Sequence, residues 1–279
     1  MKANNYDGVV FLQTHAAVAC KGILKKKYQE KYIVDVRDFT LENYSIYRRL
    51  EDNVITNSFA TVISSPAYSK FLPKRDYVIA HNYSPFPSEM VSKIRRSVSE
   101  RQNDPIQISF VGTVRFIDMD MKLLRLFAND VRFKLNYFGT GSEVLSDFCA
   151  KEGIANTEFH GSFTPEMTAS FYQKTDLINN LYGNHNPFLD YALSNKLYHS
   201  SQLYIPILVC PDTYMEEVAT KYNMGFVFDV DQPEAKDRLY DWYHGLDSES
   251  LAKGCDEFIA SVIEENAGFD RMIENFLMQ

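Results

Sequence analysis

The chain predicts an α/β protein of two lobes built on parallel sheets, and three observations predict it. From Ile106 onward four short β-rich runs close on a glycine, at Gly112, Gly139, Gly161 and Gly183. The intervals of 27, 22 and 22 residues each hold one strand, one helix and two short loops. A weaker form of the same alternation occupies the first 82 residues, and a stretch rich in proline and small polar residues separates the two.

Composition bounds the function classes. With 279 residues, 45% hydrophobic and 24% charged, the chain has the make-up of a globular protein and not of a disordered one. No apolar run reaches the ~18–20 residues that cross a bilayer, and Met1 to Asp7 lack a signal core, so the protein is expected in the cytoplasm. Cys20, Cys149, Cys210 and Cys255 are scattered, which argues against a zinc knuckle or a disulfide framework. A net charge of −8 argues against a nucleic-acid partner, because phosphate affinity comes from many Lys and Arg contacts.

The elements follow in order. Residues 1–84 hold candidate strands at Gly8–Leu12, Tyr32–Val36, Thr61–Ser64 and Tyr77–Ala80, with helical stretches between them. That is small beside the ~100–150 residues of an independent doubly wound domain, so this lobe reads as shortened. Ser84-Pro85-Phe86-Pro87-Ser88 and the polar run Ser97–Pro105 mark a connection over 85–105. The second lobe, 106–245, adds strands at Pro206–Cys210 and Gly225–Phe228, with a helix at Tyr214–Tyr222 between them. The tail from Leu239 to Met278 reads as helical, and residues 246–279 form the C-terminal helices. Phe258, Ile259, Val262, Ile263, Phe269, Met272, Ile273 and Phe276 make its apolar stripe.

In a parallel sheet, ligands lie beyond the carboxyl ends of the strands, where the glycines fall. Arg115 and Lys122 follow the first of these ends, and a diphosphate calls for such a pair, Arg as a fork and Lys as a point charge. Equally open is a solvated Lys122 with Arg115 paired to Asp118 or Asp120. Gly139-Thr140-Gly141 opens a helix whose N–H groups can receive an anion, or is a plain tight turn. Ser194 or Asn195 caps a helix beginning at Lys196, and a capped helix mouth with a lysine can hold phosphate. Asp118-Met119-Asp120 and Asp229-Val230-Asp231 read as solvated loops before they read as metal ligands. Lys25-Lys26-Lys27, with Lys21 and Lys31, is a solvated helix face or a contact for anionic head groups.

Taken in order, Phe-Val-Gly-x-x-Arg (from Phe110), Tyr-Phe-Gly-x-Gly-Ser-Glu (from Tyr137), Phe159-His160-Gly161, Asn186-Pro187 and Ser194-Asn195-Lys196-Leu197-Tyr198 followed by Ile205-Pro206 resemble the nucleotide-sugar half of GT-B glycosyltransferases. The resemblance is to the family-4 type of capsule and exopolysaccharide synthesis, and covers Ile106 to Asp229. Tyr6–His15, Val34–Asp38, Val62–Ser65 and Ala80–Asn82 resemble pieces of the acceptor-side domain, entered partway through.

The resemblance implies two Rossmann-like lobes, the first incomplete, with C-terminal helices packing back across the domains. It implies a donor diphosphate held by Arg115, Lys122, Ser194, Asn195 and Lys196, and a nucleoside against Gly112, Gly139 and Gly141. Asn186 and Pro187 would form the donor-sugar loop, and His15, matching the second histidine of a His-x-His element, would face the sugar as the catalytic residue. No metal or other cofactor is implied. There are departures from the pattern: Tyr191 and His199 stand where many such enzymes carry two glutamates, Tyr204 replaces a glycine and Gln13 a histidine. The expected activity is transfer of a sugar from a nucleoside-diphosphate donor, UDP favoured, to a polysaccharide or lipid-linked acceptor, with a binding-only subunit and a sugar-nucleotide epimerase as rivals. Expected partners are the donor, the acceptor, a peripheral membrane contact, and a second copy or partner covering the shortened lobe.

Overall fold

The structure is a computed structural model and describes residues 6–95 and 104–278. The chain forms two compact units. The front unit comprises residues 1–83, 190–193 and 260–279, and the rear unit residues 84–189 and 194–259.

In the front unit, β1 (Val9–Leu12), α1 (Thr14–Lys27), β2 (Tyr32–Val36), α2 (Ser45–Thr56), β3 (Ala60–Ile63) and β4 (Val78–Ile79) alternate as read from the sequence. The four strands are parallel in the order β1-β2-β3-β4. All five residues of β2 are buried, which is why its sequence runs apolar with little alternation. Phe11, Val34, Val36 and Ile63 pack on Ala17, Leu24, Val54 and Ile55 of the helices. On the other face Ile33, Ala60 and Val62 are covered by Phe269, Met272, Ile273 and Phe276 from the end of the chain. At the sheet edge Val10 and Leu12 are exposed.

In the rear unit, α3 (Ser88–Ile94) precedes β5 (Ile106–Val111), α4 (Ile117–Leu126), β6 (Phe133–Phe138), α5 (Ser142–Glu152), β7 (Thr157–His160), α6 (Thr168–Phe171), β8 (Leu177–Asn180), α7 (Pro187–Asp190) and α8 (Asn195–Leu203). β9 (Ile207–Val209), α9 (Tyr214–Lys221), β10 (Gly225–Val227), α10 (Ala235–His244) and α11 (Ser248–Leu277) complete the chain. The six strands are parallel in the order β10-β9-β8-β5-β6-β7. The winding therefore reverses between β5 and β8, and the carboxyl ends of those two strands flank the switch point where open α/β sheets bind ligands.

Three expectations change. The 85–105 connection is not all linker: Ser88–Ile94 is helical, its Ile94 is buried, and Arg95 donates to the Gln202 carbonyl at 2.9 Å and stacks 3.7 Å over Tyr204. Part of the Ser97–Pro105 run lies outside the described residues. Gly245 ends α10, and beyond it a single helix, α11, stands where C-terminal helices were expected over 246–279. The 246–279 segment is also divided: Phe258 packs with Tyr198 and Tyr222 of the rear unit, whereas residues from Ala260 onward belong to the front unit. Ile263 falls off the stripe and is exposed. No helix among the described residues is long and apolar enough to cross a membrane.

The front unit buries an unusual pair of acids. Glu51 and Glu42 are both buried, near Thr14, whose hydroxyl lies 2.6 Å from that of Tyr47. Burial first, then the charge of Glu42, pushes the Glu51 carboxyl up to about 8, with Asp52 adding to the effect. The folded chain thus holds a proton that the unfolded chain releases near pH ~4.3. Stability is expected to fall as pH rises from about 4.5 to about 8. Urea titrations across that range check this, and Glu51→Gln, which cannot ionise, is expected to flatten the dependence; an equally steep slope in that variant would refute the assignment.

Candidate functional site

The site is built on the ends of β5 and β6. Beyond the strands the parallel ladder continues through Gly112 N–H to the Phe138 carbonyl (2.9 Å), Gly139 N–H to His160 (2.8 Å) and Val114 N–H to Thr140 (2.9 Å). The two strand-end loops therefore run side by side. A methyl group at Gly139 would stand 1.9 Å from the Gly112 carbonyl oxygen, so this glycine serves the crossing of two loops. Gly141, at φ +91°, is the residue from which α5 starts. Its N–H donates to the Glu143 carboxylate at 2.9 Å, so part of the expected anion cradle already has an acceptor within the chain.

Lys196 lies at the switch point. Ser194 caps α8 by accepting the Lys196 N–H at 3.3 Å, which fixes where the lysine leaves the helix. The residue is only 5% exposed. Its ammonium sits 4.2 Å from the Phe110 ring centroid on β5 and 4.7 Å from that of Tyr182, just beyond β8, and donates to the Tyr182 hydroxyl. A methyl at Gly112 would stand 3.6 Å from Nζ, so the cation lies directly against bare strand-end backbone. Ring faces and a hydroxyl stabilise the charge without neutralising it.

Two titratable neighbours complete the surroundings. Asp120 is 3% exposed, and burial pushes its carboxyl up to about 7 against the pull of the Tyr137 hydroxyl and the Lys196 charge. His199 is pushed down to about 4 by burial, with the Lys196 charge adding to it. Its Nδ1 is 3.1 Å from the Tyr172 hydroxyl, which burial keeps protonated, so the neutral ring accepts from that tyrosine. Its ring also lies 4.9 Å from Phe86.

Gly112, Lys196 and Ser194 are thus brought together. Arg115 is exposed in the loop that follows Gly112. Lys122 projects from α4 and pairs with Asp231 at 2.9 Å, both side chains mostly exposed. Asn195 is exposed in the first turn of α8. Asn186 caps α7 through Oδ1, which accepts the Phe188 N–H at 3.1 Å, and Pro187 begins that helix. His15, in the front unit, is the exposed second residue of α1. Before it Gln13 adopts φ +93°, and its amide lies 3.4 Å from Asp38.

The places expected to hold glutamates are engaged in packing. Tyr191 lies in the front unit, with its ring 5.5 Å from Phe71 and 6.5 Å from Phe39, and Ser65 donates to its carbonyl at 2.5 Å. Asp118-Met119-Asp120 is helical rather than a loop, and its Asp120 is buried. Sequence reasoning passed over Asp120, Tyr172 and Tyr182. Only Tyr182 gave a usable signal, as an aromatic residue just before a strand-end glycine. Among the described residues no group of three or more His, Cys, Asp or Glu side chains could hold a metal ion.

No family model and no characterised protein matches the chain by sequence. Solved structures do. The chain is similar to Anabaena Alr3699/HepE in complex with UDP, with TM-score 0.71 and 11% identity over 97% of this chain and 79% of that one. It is similar to sucrose-phosphate synthase (tll1590) from Thermosynechococcus elongatus, with TM-score 0.71 and 10% identity over 98% and 74%. A glycosyltransferase from Rickettsia africae ESF-5 follows at TM-score 0.66 and 11% identity over 96% and 76%. The fold is that of GT-B glycosyltransferases, two parallel-sheet α/β units.

The loop crossing makes a measurable claim. Gly139→Ala is expected to lower stability by roughly 2–4 kcal/mol, through a backbone collision combined with an unfavourable φ. Thermal melts check this, with Gly153→Ala as a comparison, since that glycine has left-handed φ but open space around it. Equal losses in both would remove the collision from the account.

Proposed function

We propose that the protein is a glycosyltransferase, moving a sugar from a nucleoside-diphosphate donor, a UDP-sugar in preference, to a polysaccharide or lipid-linked acceptor. One observation carries the reading: a buried ammonium, Lys196, that makes no direct ion pair among the described residues and is set against bare Gly112 backbone at the switch point of the rear sheet. Support comes from the fold shared with proteins solved in complex with UDP and UDP-glucose.

In this reading Lys196 and the exposed Arg115 receive the donor diphosphate, while Ser194 fixes the register of Lys196. Negative charge grows on the diphosphate as the sugar departs. A fixed ammonium among ring faces needs no solvent rearrangement to meet that charge, so it lowers the barrier. Lys122, expected beside Arg115, is paired at the surface with Asp231, so its share is the smaller. The nucleoside would rest against the Gly139–Gly141 loop, and the sugar against Asn186 and Pro187. His15, exposed at the start of α1, remains the candidate catalytic residue. The chemistry assigned here uses no metal.

A second reading, a nucleotide-sugar-binding subunit that does not transfer alone, is favoured by the packing of Tyr191 and the neutral, tyrosine-bonded His199. Calorimetric titration of UDP and UDP-glucose, with a UDP-release assay on the same sample, separates the two. Lys196→Met keeps the apolar stem among the rings and is expected to weaken nucleotide binding tenfold or more, about 1.5–3 kcal/mol for a charged hydrogen bond. Arg115→Ala is expected to have a smaller effect, and Lys122→Ala the smallest. Unchanged binding in Lys196→Met would remove the central claim, and binding without release would select the second reading.

A further inference from the structure

The buried face of α4 is formed by Asp120, Leu123, Leu124 and Phe127, the helical spacing of a stripe that should be apolar throughout. Leu123, Leu124 and Phe127 belong to the rear core. Asp120 breaks the stripe in the first turn, at the end of α4 that follows the β5 loop. It is 3% exposed, and its Oδ1 is buried with no hydrogen-bond partner. An acid in this position costs stability unless it has a task.

Two groups act on it directly, the Tyr137 hydroxyl on β6 and the Lys196 ammonium on α8. Beyond these stand Cys149 on α5, beside Tyr137, and Tyr182 and His199, beside Lys196. Asp118 and Lys122, on its own helix, are exposed. Lys196 and Asp120 feel each other's charge but make no direct ion pair among the described residues. Asp120 is therefore near the ammonium without neutralising it at contact. A diphosphate arriving against Lys196 would bring negative charge toward a buried carboxylate, and like charges in one dry site cannot both stay ionised. The phosphates of a nucleotide sugar are esterified at both ends and take no proton near neutrality, so the carboxyl is the group that must yield.

We propose that Asp120 is a positioning residue of the donor site, acting through Lys196: it takes up a proton as a nucleotide sugar binds and returns it on release. The proton comes from solvent and goes to the carboxylate, and the Lys196 ammonium then meets the diphosphate uncancelled. Burial, which already pushes this carboxyl up to about 7 in the empty site, leaves it poised to respond. The sign follows. Binding that raises the carboxyl further is strongest below pH 7 and weakens as pH rises above it. The inference rests on the donor reading, because the bound diphosphate is what draws the proton.

UDP-glucose is the probe, since the terminal phosphate of UDP itself titrates near pH ~6. Calorimetry at about pH 7.5 in buffers of different ionisation heat counts protons, and uptake of roughly half a proton or more per bound UDP-glucose is expected, with roughly none in Asp120→Asn. Affinity is expected to fall about tenfold from about pH 6 to about pH 9, whereas Asp120→Asn matches the parent at the lower pH and binds about tenfold tighter at the higher. A melt on each variant confirms folding. Tyr137→Phe removes the hydroxyl that pulls the carboxyl down, and is expected to move the midpoint to higher pH. In the free chain an infrared pH titration is expected to show a carboxylic acid ionising at about 7, lost in Asp120→Asn and kept in Glu51→Gln. Its absence from the parent would overturn the inference with no nucleotide present. Binding without proton uptake, or an Asp120→Asn effect of equal size at both pH values, would make Asp120 a fixed counter-charge and leave the donor reading standing. No binding at all would remove the donor reading, and this inference with it.

Discussion

The rear unit depends on holding one positive charge where a protein interior would ordinarily reject it. Lys196 lies at 5% exposure between two ring faces and donates to a phenol oxygen, and its charge pulls on the buried Asp120 carboxyl. Each contact fixes something else. Phe110 lies on β5 and Tyr182 just beyond β8, the adjacent strands at which the winding reverses, Ser194 must cap α8 in the right register, and Gly112, at φ +143°, favours the lack of a side chain. Removing the charge would make these constraints unnecessary, since an apolar residue would pack there without them.

Most of the fold was legible because parallel strands in α/β proteins are short, apolar and punctuated. The glycines at 112, 139, 161 and 183 each follow a strand of the rear sheet, and the weaker strands of the front unit lie within a residue or two of their expected positions. Boundaries failed where tertiary contact overrides local signal. The prolines at 85 and 87 read as a linker, yet Ser88–Ile94 is helical, with its apolar Ile94 buried and the neighbouring Arg95 bonded to α8. Ile263 fits the helical period of its neighbours but meets no partner, because the helix passes there from one core to another.

The site was legible in residue type and illegible in direction. Ser194 and Lys196 were marked by capping chemistry, and the structure uses both. Lys122 was marked instead as the partner of Arg115 for a diphosphate, and it meets Asp231, since nothing in a spacing of seven from Arg115 says which way that helical face turns. Asp120 was passed over because an acidic triplet in an acidic chain looks solvated, and only the packing of α4 shows one of its members buried. The glycine turns were expected to clear space for a ligand. Gly139 clears space for the neighbouring carbonyl instead, a need that arises only once two loops lie side by side.

The last helix serves two cores in succession, first meeting Tyr198 and Tyr222 and then closing one face of the front sheet with Phe269, Met272, Ile273 and Phe276. During synthesis from the amino end, β1 to β4 emerge well before Phe269 to Phe276 and wait with one face uncovered until those residues follow. Over that interval the bare strands are a surface that a chaperone can occupy.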